Sequence, residues 1–174
     1  MKQARFQVQM NKPHQRVGSV SNTQVGKHFE SVALKVFASK GIELQGELKL
    51  PVGVGDNKKL HAFDLGCDKQ KIIVECKCHK WTAPNDNVPS AKLTVWNEAM
   101  YYFLVAPKGY RKILLVLRDM SEKRRETLAE YYVRTYGHLI PEDVEIWEVD
   151  EDGQKLVHQS FNKAMHTTSA RTLR

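Results

Sequence analysis

The chain has 174 residues, a formal net charge of +7 and a sequence pI of about 9.3. Its 41% hydrophobic and 27% charged residues suffice for one ordinary domain with a sound core, and exclude a disordered polyelectrolyte. No apolar run approaches the ~20 residues of a membrane helix, so a membrane role is not expected.

The basic surplus is the footprint expected of a protein that docks on phosphates, against the plainer reading of a solvated basic surface. With 3 Cys, an odd number, and no apolar leader, the expectation is a reducing, cytoplasmic location. Residues 1–20 read as a polar arm with at most a weak strand at Phe6–Met10. Residues 21–160 read as a single domain and 161–174 as a basic tail.

Ser21-Asn22-Thr23-Gln24 offers a capping box. Behind it Val25, Phe29, Val32, Ala33, Val36 and Phe37 recur at helical spacing until Gly41. Glu43 to Val54 reads as a strand ending in a Pro/Gly turn. Leu60–Cys67 and Lys71–Cys78 read as a hairpin through Asp68-Lys69-Gln70. A loop, His79 to Pro89, leads to a second helix from Ser90, ended by Pro107 and Gly109. Lys112–Leu117 has the unbroken apolar character of a buried central strand. Ser121 is read as the cap of a third helix reaching about Tyr136, and Val144–Val149 as a last strand. The order predicts an α/β domain: a mixed central sheet flanked by helices on both faces.

The chemistry concentrates in the hairpin. Alternation puts Glu75 and Lys77 on one face at the end of their strand, opposite Cys76 and Cys78. On the preceding strand it puts Phe63, Leu65 and Cys67 on one face, and Ala62, Asp64 and Gly66 on the other. Asp64 can then lie near Glu75 and Lys77. Two converging carboxylates repel unless a cation lies between them, and a hard divalent ion takes oxygen ligands. A lysine beside them can orient a water or meet charge developing on a phosphate. Glu30, at the edge of the first helix's apolar face, can reach the same place. The plain alternative is a surface Glu–Lys pair with an unrelated Asp.

Asp64 followed by Glu75-Cys76-Lys77 resembles the motif of the PD-(D/E)xK nuclease superfamily, over roughly Thr23 to Asp119. The resemblance implies the restriction-endonuclease-like fold and Mg²⁺-dependent cleavage of DNA, duplex or branched, with Mn²⁺ able to substitute. It assigns Asp64 and Glu75 to the metal, with the backbone carbonyl of Cys76 and with Glu30 as the helix acid. Lys77 would position the water. The residue before Asp64 is Phe63 where the family often has Pro, and Asn97-Glu98-Ala99-Met100-Tyr101 only echoes a Gln-x-x-x-Tyr helix motif.

His79, Lys80 and Trp81, directly after the catalytic strand, and Lys92 are candidates for substrate contact, with tryptophan available to stack on a base. Many roles require cleavage of both strands of a duplex, for which a homodimer is a plausible arrangement. The other function class is a catalytically inactive nucleic-acid-binding module on the same fold. A zinc site from His61, Cys67, Cys76, Cys78 and His79 lacks the two-residue knuckle spacing, so buried free cysteines are the better reading.

Overall fold

The structure is a computed structural model that describes residues 22–153 and 155–159. The expected arm, Phe6–Met10, Ser21 of the expected capping box and the basic tail lie outside these residues. The elements are α1 (Asn22–Ser39), β1 (Gln45–Val52), β2 (Lys59–Cys67), β3 (Ile72–Lys77), α2 (Ser90–Val105), β4 (Arg111–Leu117), β5 (Met120–Ser121), β6 (Glu126–Thr127), α3 (Leu128–Tyr136), β7 (Val144–Val149) and β8 (Leu156–Gln159). Among the described residues no helix is long and apolar enough to cross a membrane.

α1 forms because Phe29, Val32, Ala33, Val36 and Phe37 make one buried stripe, whereas Val25, at the same spacing, stays exposed. It stops at Gly41, which takes a left-handed φ of 73°. The Ile42 N–H then donates to the Phe37 carbonyl and the Gly41 N–H to the Ala38 carbonyl, which satisfies the helix's last acceptors.

Six strands form one mixed sheet in the order β1-β2-β3-β4-β7-β8. β1, β2 and β3 pair antiparallel, as the short hairpin demands. β3, β4 and β7 run parallel, so α2 and α3 are the crossovers between them. β4 is buried along nearly its whole length, as a central strand must be. Even its Lys112 is buried, neutralised by Asp143 at 2.7 Å.

The core has two layers. Trp96, Phe103 and Met100 of α2 and Leu128 and Tyr132 of α3 pack with Phe63, Ile73, Leu114 and Val116 on one face. α1 packs with Leu65, Ile72, Val74, Ile113, Leu115 and Trp147 on the other. Helices therefore cover both faces, as expected from the element order.

Three features differ from the sequence reading. Ser121 ends β5 and does not cap a helix. α3 begins at Leu128, where Thr127 and Glu130 form the capping box with reciprocal hydrogen bonds of 3.1 and 2.6 Å. The intervening β5–β6 hairpin and the edge strand β8 were not anticipated; both are too short to show periodicity.

The third difference lies in β2. Phe63 joins the layer under α2 and α3, whereas Leu65 joins the layer under α1. Strict alternation would put both on one face. The β1–β2 ladder pairs Gly46 with Leu65 and Leu48 with Phe63 but skips Glu47 and Asp64. Glu47 takes a left-handed φ of 54° there. Leu44, just before β1, packs against the α1 layer, whereas Leu48 within β1 lies in the other. A local irregularity of this kind re-aims the side chain at its centre, which is Asp64.

Candidate active site

The β2–β3 ladder runs from Cys67–Ile72 to Leu65–Val74 and ends there. The next position would have paired Asp64 with Glu75. Instead the Asp64 carboxylate takes over the role of a backbone acceptor: the Cys76 N–H donates to its Oδ2 at 2.7 Å. The strands fork at this point, and the fork holds the polar groups.

Glu75 and Lys77 follow Ile73 on the α2 side of β3. Lys77 Nζ lies 2.6 Å from Glu75 Oε2 and 3.5 Å from Asp64 Oδ2. One ammonium thus spans both carboxylates. The other Glu75 oxygen, Oε1, lies 3.1 Å from His61 Nε2. His61 is held flat against Tyr102 of α2 with ring centroids 3.7 Å apart, and meets Phe63 edge-on. Glu75 is buried, and Asp64 and Lys77 are partly so.

The electrostatics follow from this packing. Burial alone would raise the Glu75 carboxyl, but the His61 hydrogen bond and the Lys77 ammonium outweigh it and hold Glu75 below its ordinary value. Burial would likewise lower Lys77, yet Glu75 and Asp64 hold it above its ordinary value. Asp64 goes the other way: burial and the Glu75 charge raise it more than Lys77 and the Cys76 N–H lower it. Glu30 is also raised, by burial and then by Asp64. Lys27 and Lys77 offset part of that rise, and Glu75 adds to it.

Asp64, Glu75 and Lys77 are therefore brought together as the sequence suggested, with Glu30 acting on them from α1. Among the described residues, no group of three or more His, Cys, Asp and Glu side chains is arranged to hold a metal ion. The pair that converges is Asp64 and Glu75, and the cation between them is the lysine. The donors at the fork are carboxylate oxygens, the ligand type hard divalent cations prefer. Cys76 and Cys78 pack against the α1 layer, and Cys67, Cys76 and Cys78 are free thiols. Burial pushes the Cys76 thiol up, which keeps it protonated and inert.

The outer candidates divide. Trp81 is a correction to the expectation of base stacking. It is buried, with its backbone N–H donating to Asp119 Oδ2 at 2.7 Å and its indole N–H to the Asp119 carbonyl at 3.1 Å. An indole committed in this way offers no face to a base. Trp96 is fully buried, and its indole N–H donates to His79 Nδ1 at 2.9 Å. Burial, with the Lys92 and Lys77 charges, pushes His79 down to about 4. His79 is then neutral at pH 7 and carries its proton on Nε2, a half-buried donor two residues past the end of β3. Lys80 is exposed and paired with Glu151. Lys92 is exposed on the first turn of α2. The helix echo is not a site: Asn97 accepts from the Tyr132 hydroxyl at 2.9 Å, and Tyr101 is exposed.

His61 is the residue that sequence reading missed as a member of the site. Its signal was position, three residues before Asp64 and on the Phe63 face. A surface cleft of about 560 Å³ between α1 and the β7–β8 turn, bordered by His28, Lys35 and Glu151, includes none of these residues. Comparison with protein-family models, with curated proteins and with solved structures yields no match.

Proposed function

We propose that this chain is a metal-dependent DNA endonuclease with a restriction-endonuclease-like arrangement of sheet and helices, hydrolysing phosphodiester bonds at the β2–β3 fork. The observation that carries the reading is that Asp64 and Glu75, from strands that part at that position, both lie within reach of the single Lys77 ammonium. A structural ion pair needs one acid and one base. A second, partly buried acid whose carboxyl is held above its ordinary value is a cost that folding alone does not require.

Asp64, Glu75 and the Cys76 carbonyl are the groups that would hold a divalent ion, with Glu30 beside them. Bound there, it would supply Lewis-acid charge to a phosphate oxygen and make water a better nucleophile. The protein's own groups do the rest. The Cys76 N–H and Tyr102-backed His61 fix the two carboxylates in orientation. Lys77 stays charged and offers N–H donors where charge builds on the phosphate or where the attacking water must be held. The basic surplus supplies affinity for the polyanion. Both a restriction-type and a structure-specific enzyme fit this chemistry, and cutting both strands of a duplex would call for two copies.

A second reading has one observation in its favour. Lys77 already neutralises Glu75 at 2.6 Å, as it would in a DNA-binding module without catalysis. Plasmid cleavage separates the two. Parent protein with Mg²⁺ should nick or linearise plasmid, and Glu75→Ala and Lys77→Ala should not. Cleavage undiminished in both variants would assign the chemistry elsewhere.

A further inference from the structure

We infer that the β5–β6 hairpin is a phosphate-backbone clamp that seats duplex DNA beside the fork; the inference rests on the reading that the substrate is DNA. β3 and β4 are parallel, with Lys77 in register with Val116, so both strands end at the same edge of the sheet. The hairpin leaves β4 from that edge. Trp81, which ties it down, is four residues past Lys77 and so within about 14 Å of it. At about 3.4 Å of rise per nucleotide, that is a reach of about four nucleotides along one strand.

The hairpin is braced, and the acids that flank its turn, Asp119, Asp86 and Glu126, are already engaged. Asp119 accepts both Trp81 donors. Asp86, on the loop after β3, accepts from the Ser121 hydroxyl at 2.8 Å, and its carbonyl accepts from Arg124 Nε at 3.1 Å. The Arg124 guanidinium carbon lies 5.0 Å from the Trp81 ring centroid, a cation–π contact, and the residue remains exposed. Glu126 is engaged by Arg134. The turn itself carries Lys123, Arg124 and Arg125 against one acid, Glu122. Lys123 and Arg125 are exposed and, among the described residues, have no carboxylate partner. Arg125 is held at a left-handed φ of 57° by its N–H bond to the Ser121 carbonyl, a conformation that non-glycine residues seldom adopt. A braced turn with three cations against one acid complements a row of phosphates.

The test is anisotropy of a labelled DNA duplex in EDTA over a salt series, with the full chain. The Lys123→Ala/Arg125→Gly double variant keeps the turn's backbone while removing two cations. It should bind about tenfold more weakly at about 0.1 M salt, and the slope of log Kd against log salt should fall by nearly two. Lys108→Ala, an exposed lysine at the opposite end of β4, should match the parent. Parental affinity and slope in the double variant, an equal loss in Lys108→Ala, or no duplex binding by the parent would each overturn the inference. Because no divalent ion is present, the outcome is independent of catalysis. A lost slope in a protein that never cuts keeps the clamp and discards the nuclease, and cutting with an unchanged slope does the reverse.

Discussion

The two ends of the β2–β3 pair are made from the same two strands and do opposite things. At one end, Leu65, Gly66 and Cys67 face Val74, Ile73 and Ile72 in an unbroken ladder, and every β3 side chain is buried among apolar neighbours. At the other, the ladder stops, a carboxylate replaces a carbonyl as acceptor, and two acids and a lysine share a partly wet space. The first end lowers the free energy of folding through burial. The second holds like charges together, and the seam offsets that cost. The comparison teaches that the site is placed where the sheet's own hydrogen bonding fails, and Asp64 sits at that failure on both of its neighbours.

Substitution at either end should break the comparison in a different observable. The largest effect belongs to the fork. Glu75→Ala or Lys77→Ala should lower the cleavage rate by about 10²–10⁴-fold. Either one also removes a partner from a largely buried ion cluster, so rates must be taken on protein shown by circular dichroism to be folded. The seam comes next. Ile73→Ala should cost about 2–5 kcal/mol in denaturant unfolding, while the cleavage rate per folded molecule stays near the parent's. A rate that fell with stability at Ile73 would erase the distinction between the two ends.

Asp64→Asn sharpens it further, because an amide oxygen can still accept from the Cys76 N–H. The Asp64 carboxyl is raised by burial and by Glu75, so its ionisation costs stability as pH climbs from the ordinary carboxylate range through its raised value. Asp64→Asn should therefore melt higher than the parent at neutral pH, lose that advantage in acid where Asp64 is protonated in both states, and be inactive throughout. The opposite order of melting temperatures at pH 7 would mean that Asp64 is structural. The smallest effect is His61→Ala. Loss of the Glu75 Oε1 contact should reduce the cleavage rate by about tenfold, with His61→Gln recovering most of it by restoring a donor.

Much of this was legible in residue order. Ile72, Val74 and Cys76 alternating with Ile73, Glu75 and Lys77 showed which β3 side chains share a face, and the short link after Cys67 put Asp64 within reach of the Glu75–Lys77 end. The register was not legible and is set by the four-residue link 68–71. The face switch at Asp64 was not legible. It depends on Glu47 adopting a left-handed backbone and on a side chain outcompeting a ladder bond, and neither leaves a pattern in the apolar residues. The third helix was misplaced because Ser121 looked like a cap, although Thr127-x-x-Glu130 carried the stronger signature. Trp81 was misjudged because its partner, Asp119, is 38 residues away. Residues whose role is set by a distant partner read as free when seen in sequence alone.

The most direct test of the fork as a cation site is a Mn²⁺ titration followed by electron paramagnetic resonance, at neutral pH and again in mild acid. The parent should show saturable binding that weakens on acidification, as the raised Asp64 and Glu30 carboxyls take up protons, and Asp64→Asn should show none. Saturable Mn²⁺ binding that is identical in Asp64→Asn, or no binding by the parent at all, would contradict it.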